Sequence, residues 1–188
     1  SKNMNLSINA SELMIAQKHY VAHGFVDTAS PWLVGKEAYM TTCPPGAPLW
    51  VSPLGLYHVA SAEQGFIDML LNEEYIPDLA QSTTPCYRAE PEFDATHKPY
   101  FYKLELFSKI ASEDEALRLL TIAKELFAKL GAETVKAQTS KTSWDLNHKQ
   151  TGIELGSYGY RKFKGFEWTY GTGLAHPRLT YAKEVGDE

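Results

Sequence analysis

The sequence predicts an α+β domain in which an antiparallel β-sheet is covered by helices. Three observations lead to this class. Two extended runs within residues 86–108 are joined by a polar loop, which is typical of an antiparallel hairpin. Residues 112–130 carry a one-sided apolar stripe, which is typical of a helix packed on a sheet. Residues 134–170 contain alternating runs separated by polar turns, which indicate further antiparallel strands.

Length and composition favour one globular domain over residues 1–188. The chain has 188 residues, of which 44% are hydrophobic and 22% charged, enough for one substantial core. No run has the apolar length of a membrane span and no secretory pattern opens the sequence, so a cytoplasmic location is expected. The two cysteines give no disulfide framework, and no Cys/His spacing suggests zinc.

The charge distribution argues against extensive contact with a nucleic-acid backbone. The net charge is −5, and the lysines and arginines form no cluster in the sequence. A local basic patch could still be masked in this total, so a tRNA partner is not excluded.

The first half of the chain predicts two helices separated by an irregular segment. The first helix covers residues 11–23 and ends at Gly24. Its predicted buried side consists of Leu13, Ile15, Ala16 and Tyr20. A short strand at Phe25 and Val26 follows, and residues 36–60 are rich in Pro, Gly and aromatic side chains. The second helix lies within residues 61–80 with Ser61 as its N-cap. His58, just before it, is either a polar group of a site or a structural residue.

The hairpin carries the residues that suggest chemistry. Arg88 and Glu90 lie two apart and share a strand face. On the returning strand, one face carries Phe101, Lys103, Glu105 and Phe107. Buried charges need partners, and an arginine fork beside an aromatic ring suits a site for a phosphate and a flat ring. The alternative is a half-buried hairpin with surface ion pairs.

The second half predicts a helix, a run of strands and a terminal helix. Ser112 and Glu115 form a capping box, Gly131 ends the helix, and Arg118 is expected to be solvated off its apolar stripe. That stripe consists of Leu119, Ile122, Ala123, Leu126, Phe127 and Leu130. Strands are expected around residues 135–138, 144–147, 153–160 and 166–170.

The glycine-rich segment after residue 170 is predicted to join the last strand to the terminal helix. Gly171 and Gly173 there would let the backbone approach a ligand closely. Pro177 suits the first turn of the terminal helix. Arg178 would then project from the start of that helix, where the helix dipole favours an anion.

The hairpin pattern of aromatic-Arg-x-Glu, loop and His97-x-x-x-Phe101-x-x-x-Glu105 resembles motif 2 of the class II aminoacyl-tRNA synthetases. The resemblance implies that Arg88 holds the α-phosphate of ATP and Glu90 the adenine edge. It also implies that His97 reaches the γ-phosphate and that Phe101 stacks on adenine. Glu105 would face the amino-acid pocket.

The C-terminal pattern Gly171-Thr-Gly173-Leu-Ala-x-x-Arg178 resembles motif 3 of the seryl-type class II enzymes. The resemblance implies that Arg178 holds the γ-phosphate, although His176-Pro177 replaces the small residues usual there. Gly171 and Gly173 would then contact the substrate.

The strand that begins near Glu154, which follows the Trp144-Asp-Leu run, is also similar to the seryl-type enzymes. Glu154 would coordinate Mg²⁺, while Gly156 and Ser157 would form the floor of the amino-acid pocket. Glu154 is alternatively a charge on an edge strand that deters aggregation.

Two further comparisons with the same family concern the dimer and the substrate. The first helix with Gly24-Phe25 and Pro31 resembles motif 1, which implies a homodimer; a plain helix end and turn is the alternative. Seryl- and prolyl-type enzymes hold the substrate amino group with a Pro-Thr-x-Glu strand. Here residues 52–56 keep Pro53 but offer neither the Thr nor the Glu.

Together, the resemblances imply a class II synthetase-like catalytic domain with an antiparallel sheet of six or seven strands and helices on one face. They imply ATP- and Mg²⁺-dependent adenylation of an amino acid or similar carboxylate. The acyl group would pass to a carrier protein, a small molecule or a tRNA. No anticodon-binding domain is expected within the chain. Two alternatives stay open: a non-catalytic paralogue with a regulatory or assembly role, and the catalytic core of a longer synthetase.

Overall fold

The computed structural model describes residues 8–89 and 92–187. In chain order, its helices and strands are α1 (Ala10–Ala22), β1 (Val26–Asp27), β2 (Leu33–Val34), α2 (Lys36–Met40), β3 (Tyr57–His58), α3 (Ala62–Leu71), β4 (Leu79–Tyr87), β5 (Tyr100–Ser108), α4 (Glu113–Lys129), β6 (Thr134–Ser140), β7 (Ser143–His148), β8 (Glu154–Phe163), β9 (Phe166–His176) and α5 (Arg178–Gly186). None of the described helices combines the length and apolarity needed to cross a membrane.

A seven-stranded sheet forms the centre of the molecule, with the strand order β1-β4-β5-β9-β8-β7-β6. All neighbours pair antiparallel except β1, which runs parallel to β4. Strands β2 and β3 form a separate antiparallel pair. The predicted α+β class and the mostly antiparallel sheet are therefore confirmed, as is the hairpin, whose strands are β4 and β5. Strand β4 ends at Tyr87, however, so Arg88 follows the strand instead of lying on it, and Glu90 lies outside the described residues.

Helices cover both faces of the sheet, which corrects the expectation of helices on one face. Neighbouring residues of β5 show the alternation: Leu106 packs with α1 and α4, whereas Phe107 packs with α3 on the opposite side. We call the side of α1 and α4 the helix face. The other side, where α3 packs against Phe107 and Trp168, is called the cleft face.

Helix α1 lies close to its predicted position, but one expected core residue is exposed. Gly24 follows the helix with a φ of 91°, a conformation that glycine adopts without strain. Ala16 and Tyr20 are buried, whereas Ile15 is 45% exposed. Ile15 precedes Ala16 by one residue, and the helical rotation of about 100° per residue turns it away from the sheet. Glu12 and His19 occupy the buried side instead.

Helix α4 begins as predicted, but its capping box is only half formed. The Ser112 hydroxyl accepts a hydrogen bond from the backbone N–H of Glu115 at 3.0 Å. The Glu115 carboxylate does not return the bond; it accepts from the Ser108 hydroxyl and from Arg118 Nε, each at 2.5 Å. Glu115 is buried and needs these partners. Arg118 pairs with it while its own side chain stays 43% exposed, in keeping with the expected solvated position.

Candidate functional site

A cleft on the cleft face of the sheet contains two adjoining cavities. The larger has a volume of about 360 Å³ and the smaller about 140 Å³. Both are lined by Arg88, Lys103, Ser157 and Thr172. The shared lining makes them two parts of one site, built from the end of β4 and from the central strands β5, β8 and β9.

The smaller cavity brings together seven of the predicted site residues. They come from the β4–β5 hairpin, from the start of β8 and from the start of α5, and they are Arg88, His97, Phe101, Glu154, Gly156, Ser157 and Arg178. The two arginines are 90 positions apart in the sequence (178 minus 88) but line the same cavity. Glu90 lies outside the described residues.

Each arginine of the smaller cavity is held by specific neighbours. Arg178 donates from Nη1 to Glu154 Oε2 at 2.9 Å and from Nη2 to the backbone oxygen of Thr96 at 2.9 Å. The Arg88 guanidinium lies over the Phe101 ring, 5.0 Å from its centroid. The cavity thus carries two oriented guanidinium groups, which are the side chains best suited to bind phosphate oxygens.

Residues 94–97 of the loop between β4 and β5 are organised by hydrogen bonds to Asp94. Its Oδ1 accepts from the backbone N–H groups of Thr96 and His97, each at 2.8 Å, and lies 3.0 Å from His97 Nδ1. These hydrogen bonds, the one from Thr96 N–H first, hold the pKa of the Asp94 carboxyl well below its usual range. The loop therefore presents the half-exposed His97 ring at the cavity.

Glu154 lines the smaller cavity, and Asp145 lies on the neighbouring strand β7. The pKa of Asp145 is raised, chiefly by burial and further by the negative charge of Glu154. Carboxylate oxygens are the ligands that Mg²⁺ takes, so Glu154, which lines the cavity, is the residue of the two that fits such an ion. Glu154 was predicted as a metal ligand; Asp145 was noted only as part of a strand.

A buried carboxylate dominates the larger cavity. Glu105 is 2% exposed, and its Oε2 lies 3.0 Å from Lys103 Nζ and accepts from the Ser61 hydroxyl at 3.1 Å. Burial raises the pKa of Glu105 to about 7, against the lowering effect of Lys103. The group therefore changes charge near neutral pH, and a cation arriving in the cavity would favour its ionised form.

A hydroxyl and a second carboxylate in the same cavity were missed at the sequence level. Ser61 and Glu63 both line the larger cavity, and Ser61 caps α3 by accepting from Glu63 N–H at 3.1 Å. The Glu63 Oε2 accepts from Trp168 Nε1 at 2.8 Å and from Arg161 Nε at 2.9 Å.

The segment Ser61-x-Glu63 has the hydroxyl-x-carboxylate spacing that was sought, and judged absent, at residues 52–56. The comparison was anchored on Pro53 and therefore tested positions 54 and 56, seven residues before Ser61 and Glu63 (61 minus 54). In the structure, Ser52 instead accepts from two backbone N–H groups of a tight turn. Ser61 could have revealed the pair Ser61 and Glu63 in the sequence. It was predicted as the N-cap of a helix but was given no role in the site.

The glycines of β9 face away from the cleft, which corrects their predicted contact with a ligand. The strand continues to His176, so Gly171 and Gly173 are not in a connecting segment. A Cβ at Gly173 would lie 2.4 Å from Leu104, and one at Gly171 would lie 2.8 Å from Tyr158. Leu104 and Tyr158 belong to the core on the helix face, so both glycines serve packing.

Gly156 and Ser157 do not form one common floor. Ser157 lines both cavities, whereas Gly156 lines the smaller one. A Cβ at Gly156 would meet the Tyr158 hydroxyl at 2.5 Å, so the glycine makes room for Tyr158. His58, left open at the sequence level, packs its ring 4.5 Å from that of Tyr87 and lines neither cavity.

One metal-ligand spacing was also overlooked, on the other side of the molecule. His19 and His23, one helical turn apart on α1, lie with Glu125 of α4 so that their ligand atoms are within 4.8 Å. Both ring nitrogens of His19 are engaged, one at 2.8 Å from the Ile122 oxygen and one at 2.9 Å from Lys129 Nζ. Because both of these nitrogens already have partners, we assign this cluster no ligand.

The fold is that of the catalytic core of the class II aminoacyl-tRNA synthetases. The protein is similar in structure to seryl-tRNA synthetase from Pyrococcus horikoshii, solved in complex with ATP, with a TM-score of 0.73 and 17% identity over 92% of this chain. Two structures of pyrrolysyl-tRNA synthetase from Desulfitobacterium hafniense are also similar, with TM-scores of 0.71 and 0.69, each 18% identical over 94% of this chain.

The chain spans about half of the seryl enzyme, 49% of that chain, and 67% and 69% of the two pyrrolysyl chains. Comparison with protein-family models finds no match, and neither does comparison with curated proteins. The identities are low, so this likeness concerns the fold.

Proposed function

We propose that the protein activates an amino acid or a similar carboxylate with ATP and Mg²⁺ and transfers the acyl group to an acceptor. The observation that carries the proposal is the shared lining of one cavity by Arg88 and Arg178. Adenylation requires a triphosphate held at both ends, and two guanidinium groups from distant parts of the chain meet this need by position and charge.

In the proposed reaction, a carboxylate oxygen of the substrate attacks the α-phosphorus, and the bond from that phosphorus to the bridging oxygen of pyrophosphate breaks. Arg88 binds the α-phosphate, and Arg178 and His97 bind the γ-phosphate. Adenine stacks on the Phe101 ring, over which the Arg88 guanidinium lies in the structure. Glu90 completes the proposed contacts at the adenine edge.

Glu154 would hold the Mg²⁺ ion. When bound, this ion neutralises charge on the phosphate oxygens of ATP. The ion pair between Glu154 and Arg178 keeps the proposed metal ligand and the proposed γ-phosphate ligand side by side.

The larger cavity is proposed to hold the substrate. Arg88 lines both cavities, so a carboxylate placed beside it lies at the border with the phosphates. The substrate ammonium group binds Glu105, with Ser61 and Glu63 as further partners. Ser157 lines the same space. Gly156, proposed from the resemblance as part of the floor, borders it through the smaller cavity.

The acceptor is a tRNA, a carrier protein or a small molecule. The similar solved structures are tRNA synthetases, which supports tRNA as one candidate. Loss of the hydroxyl-x-carboxylate element would favour the alternative of a non-catalytic paralogue. Ser61 and Glu63 in the larger cavity remove that reason, so catalysis is the function that the geometry supports best.

Exchange of labelled pyrophosphate into ATP tests the proposal. We expect exchange that depends on Mg²⁺ and on at least one acid from a panel of amino acids and related carboxylates. Calorimetry with ATP and Mg²⁺ is the companion measurement and should give a binding isotherm. Folded protein that yields no heat at millimolar ATP and no exchange with any acid would contradict the proposal.

We also propose that the protein is a homodimer formed through α1 and β1. Strand β1 is an edge of the sheet, and apolar side chains are exposed on it and on α1: Met14, Ile15, Val21 and Val26 are 45–56% exposed. A second copy would bury this surface across a two-fold axis.

Sedimentation equilibrium should give twice the mass of one chain, and Val21→Glu should shift the equilibrium towards monomer because it places a charge in the apolar contact. Leu54→Glu, at a 78% exposed position in a turn away from α1 and β1, is the matched control. A monomeric wild type would refute the dimer.

A further inference from the structure

The larger cavity contains an arginine that the proposed reaction does not use. Arg161, on β8, lines this cavity and not the smaller one. Its guanidinium lies 4.2 Å from the centroid of the Tyr170 ring. Its Nε donates to Glu63 Oε2 at 2.9 Å. Arg161 is thus held on one edge by a carboxylate and on one face by an aromatic ring.

This arrangement leaves the two terminal nitrogens of Arg161 available. Among the residues that the structure describes, Nη1 and Nη2 make no hydrogen bond with the protein; the one hydrogen bond of the guanidinium is from Nε. Glu63 is itself 4% exposed and fixed by Trp168 Nε1. A guanidinium whose orientation is set in advance loses little conformational entropy when its remaining N–H groups bind a ligand.

The position of Arg161 in the larger cavity suits contact with the side chain of the substrate. Arg88 marks the border with the smaller cavity, and Glu105 with Ser61 provides the partners for an ammonium group. Arg161 lies in the larger cavity beyond that border, with Tyr39 and Pro44 as apolar walls of the same space. The aliphatic part of a side chain can pack on these walls while its end reaches Arg161.

The charge already present near Arg161 favours a neutral ligand group. Glu63 neutralises the positive charge of Arg161. A carboxylate on the substrate would therefore place a second negative charge next to Glu63. An apolar group would displace water from the N–H donors of Arg161 without replacing its hydrogen bonds, which is costly. An amide or ketone oxygen accepts both N–H groups without adding charge.

We propose that Arg161 determines specificity and that the substrate is an amino acid whose side chain ends in a neutral oxygen acceptor, such as an amide. This inference rests on the proposed function, since it names the substrate class of the same site. It assigns Arg161 no part in the adenylation step.

Two matched series of amino acids test the inference. Asparagine, aspartate and leucine are similar in size, as are glutamine, glutamate and methionine. Amino-acid binding is measured by calorimetry in the presence of a non-hydrolysable ATP analogue, together with pyrophosphate exchange. In at least one series, we expect the amide to bind about 10- to 100-fold more tightly than the apolar member, the worth of a hydrogen bond to a charged group. The carboxylate is expected to bind more weakly than the amide.

Arg161→Met should abolish this preference while leaving the affinity for ATP unchanged. Arg161→Lys keeps the charge beside Glu63 but removes the fork, so it should fold and still reduce the preference. Arg118→Met, which replaces an arginine paired with Glu115 on the helix face, is the matched control and should keep the wild-type preference. Thermal unfolding of each variant verifies that the protein is folded.

Two sets of results would overturn the inference in different ways. If ATP binds and exchange occurs, but the apolar or carboxylate member is preferred or Arg161→Lys keeps the amide preference, Arg161 does not select the side chain and the proposed function stands. If ATP does not bind and no acid supports exchange, the proposed function fails and the substrate class fails with it.

Discussion

Replacing Arg178 with alanine is expected to lower the rate of pyrophosphate exchange by about 100- to 1000-fold, the range found when one positioned charge-stabilising donor is removed. Arg178 is the first residue of α5 and lines the smaller cavity together with Arg88. Its removal leaves one end of the proposed triphosphate without a guanidinium and takes from Glu154 its ion-pair partner. Exchange assays at saturating amino acid measure the effect.

Nucleotide affinities separate this role from a general loss of binding. Arg178→Ala should weaken the binding of ATP but not that of AMP, because AMP has no γ-phosphate for Arg178 to contact. Arg118→Ala is the control: Arg118 also pairs with a carboxylate, but it does so on the helix face. Wild-type exchange in Arg178→Ala, or equal losses for ATP and AMP, would contradict the assigned role.

Replacing Glu105 with glutamine is expected to weaken amino-acid binding by about 2 kcal/mol or more, or about 30-fold, the lower range for removing one partner of a buried charge pair. The substrate ammonium group would lose its charged partner in the larger cavity. Affinity measured by calorimetry at pH 8 gives the effect. Glu133→Gln, at an exposed ion pair with Lys149, should leave the affinity unchanged.

The same variant should change the pH dependence of binding. Because burial raises the pKa of Glu105 to about 7, the wild-type affinity for the amino acid should increase as the pH rises through 7 and the carboxylate forms. Glu105→Gln should lack this step. A wild-type affinity that is flat between pH 6 and 8 would show that Glu105 does not carry the ammonium contact.

The raised pKa of Glu105 also has a defined effect on stability. The folded state holds this proton at pH values above the ordinary pKa of 4.5, where the unfolded chain has released it. The stabilising contribution is therefore complete below about 4.5 and is lost as the pH rises through about 7. Denaturant unfolding in this window should show a smaller pH dependence for Glu105→Gln than for the wild type.

Local patterns were sufficient for most of the fold. The apolar stripe of α4, including Leu126 and Phe127, is buried as predicted, because helical periodicity and burial are encoded within one segment. The β4–β5 hairpin followed from two extended runs and a polar loop for the same reason. The end of β9 was misjudged because Gly171 and Gly173 resemble a break, and only the approach of Leu104 and Tyr158 explains glycine within that strand.

The sequence by itself determined the α+β class, the hairpin and the identity of the two arginines of the smaller cavity, since each depends on neighbours in the chain or on a short motif. Only the tertiary structure decided that Ser61 and Glu63 join Glu105, that Asp145 accompanies Glu154 and that Arg161 stands over Tyr170 beside Glu63. Asp145 and Glu154, like Arg161 and Tyr170, lie on strands that are neighbours in both the chain and the sheet. The contacts of Ser61 with Glu105 and of Glu63 with Arg161 instead span 44 and 98 positions, because the start of α3 packs on the same face of the sheet as β5 and β8. Such contacts arise from packing between distant segments, which no local periodicity encodes.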